Sequence, residues 1–307
     1  MHWRKIEWQT LLLFICCYGL WLLTTYQFNI VSDNWGLATA CLMLFTITAL
    51  LTAFHTSLQH EVVHGHPTPW SVVNEALVFP SLIFVYPFRR YRDLHLKHHN
   101  DANLTDPYED PESYFWPQTE GHKLNKIKWL LLSMNNTFVG RMLLGPPLGL
   151  WGFYKTEISK LWRGEKGVRL SWSLHIIGCV CVVSWLTFVC AIPLWLYACL
   201  VIYPAVSWIL IRSFAEHRAD KIIGKRSAIV EAHPFFALLF LNNNLHIVHH
   251  AHPEMAWHEL PMMYAQNREK FLTANGGYLY TGYGSIVRQF AFRKKQPVFH
   301  PFSHRKL

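Results

Sequence analysis

The chain has 307 residues, of which 51 % are hydrophobic and only 15 % charged, against about 25 % charged in ordinary soluble proteins. That much apolar surface excludes an intrinsically disordered chain, and 16 glycines, 16 prolines and 7 cysteines exclude collagen-like and disulfide-scaffold classes. The formal net charge of +9 suggests nucleic acid, but no Lys or Arg lies between Lys5 and Arg89 or between Arg169 and Arg212, and basic residues confined to segments between apolar runs indicate membrane orientation instead.

In chain order, the first apolar run, 8–28, comes after Arg4 and Lys5. A bilayer span takes about 20 residues at 1.5 Å rise each, and this run qualifies. No small-residue cleavage site comes after it, so it reads as a span and not a signal peptide. Residues 29–34 lead directly into a second span, 35–59, which makes a membrane hairpin. Residues 172–189 and 193–211 predict a second hairpin, turning near 191–193. Neither turn holds Lys or Arg, so both termini and the middle section are expected on the cytoplasmic side. Trp3, Trp8, Trp35 and Trp172 sit near span ends, where amphipathic rings favour the interface.

The middle section, 61–170, holds two apolar stretches, 76–88 and 129–153. The first is too short to span. The second is interrupted by Asn135, Asn136, Arg141, Pro146 and Pro147. Both predict in-plane or partly immersed helices; a six-span alternative uses them to cross. The last section, 212–307, is polar with short helical patterns and is expected to pack on the middle section. The whole reads as a single all-α membrane domain over 1–307: four transmembrane helices in two hairpins with a cytoplasmic helical cap. The cysteines all lie in apolar runs and form no CxxC pair, so they read as small buried hydrophobes.

The chemistry lies in the 19 histidines. His60 and His64 stand at the end of the second span and share a helical face. His95, His98 and His99 form an HxxHH box, as do His246, His249 and His250; His217 stands just after the fourth span. Imidazole ligates iron, zinc, copper and nickel at neutral pH. These nine candidates exceed what one tetrahedral zinc takes and suit two metals. Neutral ligands leave such a site cationic, so neighbouring carboxylates are expected as hydrogen-bond acceptors. Glu61, Asp93 and Glu216 each sit beside a box, and Asp101, Asp106, Glu109, Asp110 and Glu112 come after the second. The same acidic stretch is also plain turn chemistry. His55, inside the second span, reads as a hydrogen-bonded buried group, and His66 as a loop residue or a support of the site. His2, His122, His175, His233, His300 and His304 have no spacing partners.

The pattern His60-x3-His64, His95-x2-His98-His99 and His246-x2-His249-His250 between two apolar hairpins resembles the membrane-bound fatty acid desaturase superfamily, from the second span to about Leu260. The first box, with Gly65 after it, is the variant seen in bacterial desaturase-like proteins and some ketolases. The resemblance implies two irons held almost wholly by histidine, with O2 as co-substrate. His217 matches an extra ligand found after the fourth span in acyl-CoA desaturases. There an Asn four residues earlier holds a water on one metal; here that position is Ser213, and Asn242, four residues before His246, is a positional substitute.

The resemblance implies introduction of a C=C bond into an acyl-lipid or acyl-CoA chain. The same scaffold carries hydroxylases and ketolases of lipids or carotenoids, and a desaturase of a small non-lipid metabolite, dihydrorhizobitoxine. Electrons must come from outside, because no haem-binding segment, ferredoxin-like cysteine set or dinucleotide fingerprint is visible. A ferredoxin, rubredoxin or cytochrome b5 type donor with its reductase is implied. Lys123, Lys126 and Lys128 suit either an acidic carrier or lipid headgroups. The lack of appended domains points to a bacterial inner membrane, and 303–307 is not a peroxisomal ending. A non-enzymatic alternative is a metal-binding or transport protein, but transporters line their spans with ionisable groups, and these spans hold few.

Overall fold

A computed structural model describes residues 6–100, 102 and 104–302. His2, Trp3, Arg4, Lys5, Asp101 and the 303–307 ending, including His304, lie outside the described residues. Helices run over α1 (Trp8–Trp35), α2 (Leu37–Val63), α3 (Ser71–Val78), α4 (Phe88–Asn100), α5 (Lys126–Asn135), α6 (Phe138–Trp162), α7 (Val168–Val189), α8 (Leu194–Glu216), α9 (Pro234–Leu239), α10 (His246–Ala251), α11 (Leu260–Ala274) and α12 (Tyr283–Phe290). The chain packs as two units, one built from residues up to Arg92 with Leu150–Ile209, the other from Asp93–Gly149 with Leu210 onward.

Four helices, α1, α2 and α7 of the first unit and α8, which begins there, are long and apolar enough to cross a membrane, and the chain is an integral membrane protein. The helices outrun the expected apolar spans. Polar residues such as Asn29 and Asn34 end the apolar run but not the helix. Gly36, at φ 88°, stops α1, and Gly65, at φ 87°, stands just beyond the end of α2; both take a left-handed conformation that only glycine adopts without strain. The α1 face Phe14, Cys17, Trp21, Thr25 and Phe28 is buried, at the three-and-four spacing of one helical stripe. Trp8, Leu12, Ile15, Leu23 and Ile30 stay exposed on the same helix. An apolar surface of that extent suits lipid, not water.

The stretch expected as a helix over 76–88 behaves differently. α3 ends at Val78 and residues 79–87 are irregular, because Pro80 and Pro87 supply no N–H and disfavour helix before them. The segment is nevertheless buried at Leu82 and Ile83, so its free carbonyls need donors. Side chains of the spanning helices provide them. The Tyr197 hydroxyl donates to Leu82 O at 2.9 Å and accepts from Trp21 Nε1 at 2.9 Å; Tyr18 meets Leu77 O at 2.9 Å; and His175 Nε2 lies 3.1 Å from Phe84 O. Gly178 of α7 lets the segment approach, since a Cβ there lies 2.3 Å from Phe79 O. The second stretch, 129–153, also divides: α5 ends at Asn135, and α6 carries Pro146 and Pro147 internally.

The second unit contains the short elements after α8. An apolar cluster of Ile229, Leu245, Ile247, Val248, Leu260, Tyr264 and Phe271 fixes α10 against α11. Two strands of two residues each, β1 (Ile229–Val230) and β2 (Leu279–Tyr280), pair in parallel. They are too short to signal themselves by alternation, and they do not alter the mainly helical class.

Candidate metal centre

The second unit brings seven of the nine candidate histidines together. α4 presents His95, His98 and His99 at the i, i+3, i+4 positions of one face. α10 presents His246, His249 and His250 in the same way, and His217 stands just past the last turn of α8. One ring nitrogen from each of His98, His217, His246 and His250 lies within 4.8 Å of the others. The Nε2–Nε2 separations are 3.2 Å for His98–His217, 2.8 Å for His217–His246 and 3.1 Å for His246–His250. His95, His99 and His249 form a second convergence, with Nε2 pairs at 3.1 Å through His99. His99 and His250 join the two groups by ring stacking at 4.2 Å.

The outward nitrogens meet acceptors. His98 Nδ1 lies 2.8 Å from Asp110 Oδ1, and His95 Nδ1 lies 2.7 Å from Glu112 Oε1. His246 Nδ1 is 3.0 Å from Asn243 Oδ1 and 3.3 Å from Glu216 Oε1. An ionised carboxylate only accepts, so Nδ1 of His95 and His98 carries a proton and Nε2 is the nitrogen turned toward the other rings. Asp110 is itself fixed, because its second oxygen accepts Thr105 N–H at 2.6 Å. The loop is further tied by His300 Nε2, 3.0 Å from Thr105 Oγ1.

The electrostatics set His98 apart from its neighbours. Burial opposes charge on His98, but Glu112 and Asp110 outweigh it and raise the imidazole to about 9, which marks a position where positive charge is favoured. Burial and the neighbouring His95 and His98 lower His99 to about 3. Burial first, then adjacent imidazoles, hold His217, His246 and His250 well below the ordinary histidine value. These rings are neutral near pH 7. Four ring nitrogens within 4.8 Å of one another, on rings that are mostly neutral, make a donor set that fits metal ions.

The sequence profile of the fatty acid desaturase family matches residues 33–282. The chain belongs to the fatty acid desaturase family. No curated protein matches it. The family's diiron chemistry accords with the imidazole-rich donor set of this desaturase-family chain.

His60 and His64 adjoin at the end of α2 in the first unit, ring centroids 4.9 Å apart, with Glu61 Oε1 3.8 Å from His60 Nδ1. Ser213 lines a small cavity beside Asp110, Glu112, Tyr114, Glu216 and His217. Asp93 is exposed on α4. Asn242 donates to Trp257 O at 2.9 Å, and its neighbour Asn243 is the residue at His246. His55 meets the Tyr18 hydroxyl at 2.8 Å, as expected of a buried hydrogen-bonded group, and His66 Nδ1 pairs with Glu7. Sequence reasoning missed Asn243, His300 and Lys295. None stands in a box: Asn243 sits in the turn just before α10, three residues from His246, while His300 and Lys295 arrive through long-range contacts with no periodic signal.

Proposed function

We propose that this protein is an oxygen-dependent diiron oxidoreductase that removes two hydrogens from an unactivated acyl chain, leaving a C=C bond. The observation that supports it most directly is the convergence of imidazole Nε2 atoms whose Nδ1 protons are held by Asp110, Glu112 and Asn243. Two irons, when bound, supply the redox chemistry with O2 that no side-chain acid or base offers for such a carbon. In this reading His98, His217, His246 and His250 hold one iron, and His95, His99 and His249 ligate the other. The family pattern assigns His60 and His64 to the remaining ligand positions.

The chain's own residues do the positioning. Asp110 and Glu112 hold the Nδ1 protons of two rings and orient their Nε2 atoms toward the metal positions, as outer partners of metal-bound histidine commonly do. Glu216 adds a carboxylate beside His246, and Ser213 borders the same cavity. The exposed apolar faces of the spans suit a substrate delivered from lipid. Electrons come from a ferredoxin, rubredoxin or cytochrome b5 type donor, and the centre faces the cytoplasm of a bacterial inner membrane.

The test is metal content per chain in protein from iron-supplied cells, beside His98→Ala. Two irons falling sharply in a variant that still inserts in the membrane is the expected result. Full metal and activity in His98→Ala overturns the assignment. Product mass then separates the chemistries: loss of two hydrogens marks desaturation, and gain of oxygen marks hydroxylation on the same scaffold.

A further inference from the structure

The last turn of α8 carries His217 out of the span, and its end is held in an unusual way. A helix leaves its final carbonyls without partners, yet every carbonyl from residue 214 to 217 has one here. Lys295 Nζ donates to Phe214 O, to Ala215 O at 3.2 Å and to His217 O at 2.7 Å. The Tyr278 hydroxyl donates to Ala215 O at 2.9 Å, Ala228 N–H to Glu216 O at 2.8 Å, and Tyr114 to His217 O at 3.3 Å. Burial, then Arg141, push Lys295 well below the ordinary lysine value, so the charge is opposed by its surroundings; what favours it is the ring of carbonyls that three donors from one atom satisfy and the helix dipole at a C-terminus. The aromatic faces of Phe214 and Tyr278 lie 5.3 and 5.7 Å from the same nitrogen, which suits a cation. Lys295 is anchored in turn, its N–H donating to Asn136 O at 2.8 Å.

His217 Nε2 meets the Nε2 atoms of both His98 and His246, at 3.2 and 2.8 Å. Among the described residues its own Nδ1 meets Ser227 Oγ at 3.4 Å, a weak tether beside the carboxylate and amide that orient His98 and His246. Its ring placement therefore depends on its backbone. We propose that Lys295, 78 residues away in sequence, is a positioning residue for His217, fixing the ligand through its carbonyl. Lys295 touches neither metal nor substrate; it acts through the α8 terminus.

This inference rests on the metal-centre reading, and the experiment separates the two. Wild type, Lys295→Met, Lys295→Gln and the neighbouring control Lys294→Met are purified in detergent, checked for monodispersity and helicity, stripped of metal and titrated with cobalt(II). Cobalt(II) absorption reports the ligand geometry. Wild type and Lys294→Met are expected to bind two ions. Lys295→Met is expected to lose about 10–100-fold in affinity for one ion, the range for losing an outer partner of a metal ligand, with a changed spectrum; Lys295→Gln, keeping one donor amide, falls between. If wild type binds no cobalt, the metal-centre reading itself fails. If wild type binds two ions and both folded Lys295 variants match its affinity and spectrum, the positioning role is overturned. Should Lys295→Met not remain folded, Lys295→Gln decides on the same criteria.

Discussion

Asp110 gathers the loop around the centre: one oxygen faces His98 Nδ1 and the other the Thr105 N–H. Asp110→Asn removes the charge but keeps the shape, and metal affinity is expected to fall about 10–100-fold in a cobalt(II) titration while the fold persists. The histidines also set a pH dependence for chelator-treated protein. His217, His246 and His250 have folded pKa values well below the ordinary 6.5, so below that pH the unfolded chain takes up protons the folded one refuses, and stability falls as the pH drops. His98 has the opposite sign: its raised pKa contributes stability that is fully present below 6.5 and lost as pH rises through about 9. The thermal midpoint of metal-free protein should therefore be highest near pH 6.5–7 and decline on both sides. A midpoint that keeps rising on acidification contradicts the burial of these rings as neutral groups.

At the scale of elements, α4 and α6 are tied by a buried pair that includes no histidine of the boxes. Arg90 Nε and Nη2 donate to the two Glu157 oxygens at 2.8 and 2.9 Å, and Trp172 Nε1 adds a third bond at 3.1 Å. Removing one partner of a buried pair costs about 3–5 kcal/mol because the other charge is left uncompensated, whereas replacing both by apolar residues is often close to neutral. Glu157→Met should thus lower the thermal midpoint well below that of Arg90→Met/Glu157→Met, which scanning calorimetry in detergent can compare. The irregular 79–87 segment makes a matching prediction. A Cβ on Gly178 meets the Phe79 carbonyl at 2.3 Å, a contact that backbone cannot relieve cheaply, so Gly178→Ala is expected to cost about 1–3 kcal/mol. Both features were illegible in the sequence. Residues 90 and 157 lie on different helices, and residues 79–87 look like helix by apolar content until their prolines are weighed.

For the whole molecule, a ligand that binds only the folded chain stabilises it by mass action, about 2.7 kcal/mol at a hundredfold excess over Kd. Iron or cobalt(II) added to chelator-treated protein is expected to raise the thermal midpoint, and His98→Ala should abolish most of that rise. An equal rise in the variant would mean the stabilising metal binds elsewhere. The separation of tasks is visible at this scale: one unit holds α1, α2, α7 and most of α8, and the other gathers seven of the nine candidate histidines by itself.

The amino-acid sequence alone determined whatever repeats with a local period. Runs of apolar residues marked four spans because the bilayer requires length and hydrophobicity in one continuous segment. HxxxH and HxxHH marked ligand faces because a helix returns to the same side every three or four residues. Span ends were less legible: α1 continues to Trp35 and α2 to Val63, since a helix stops at glycine or proline and not where hydrocarbon ends. Only the tertiary structure decided which partners orient the rings. Asp110 and Glu112 were members of an acidic stretch with an equally good turn reading, and Asn243 rather than Asn242 faces His246. Lys295 and His300 carried no signal at all, because a hydrogen bond across many residues depends on where the chain returns, and no local period records that.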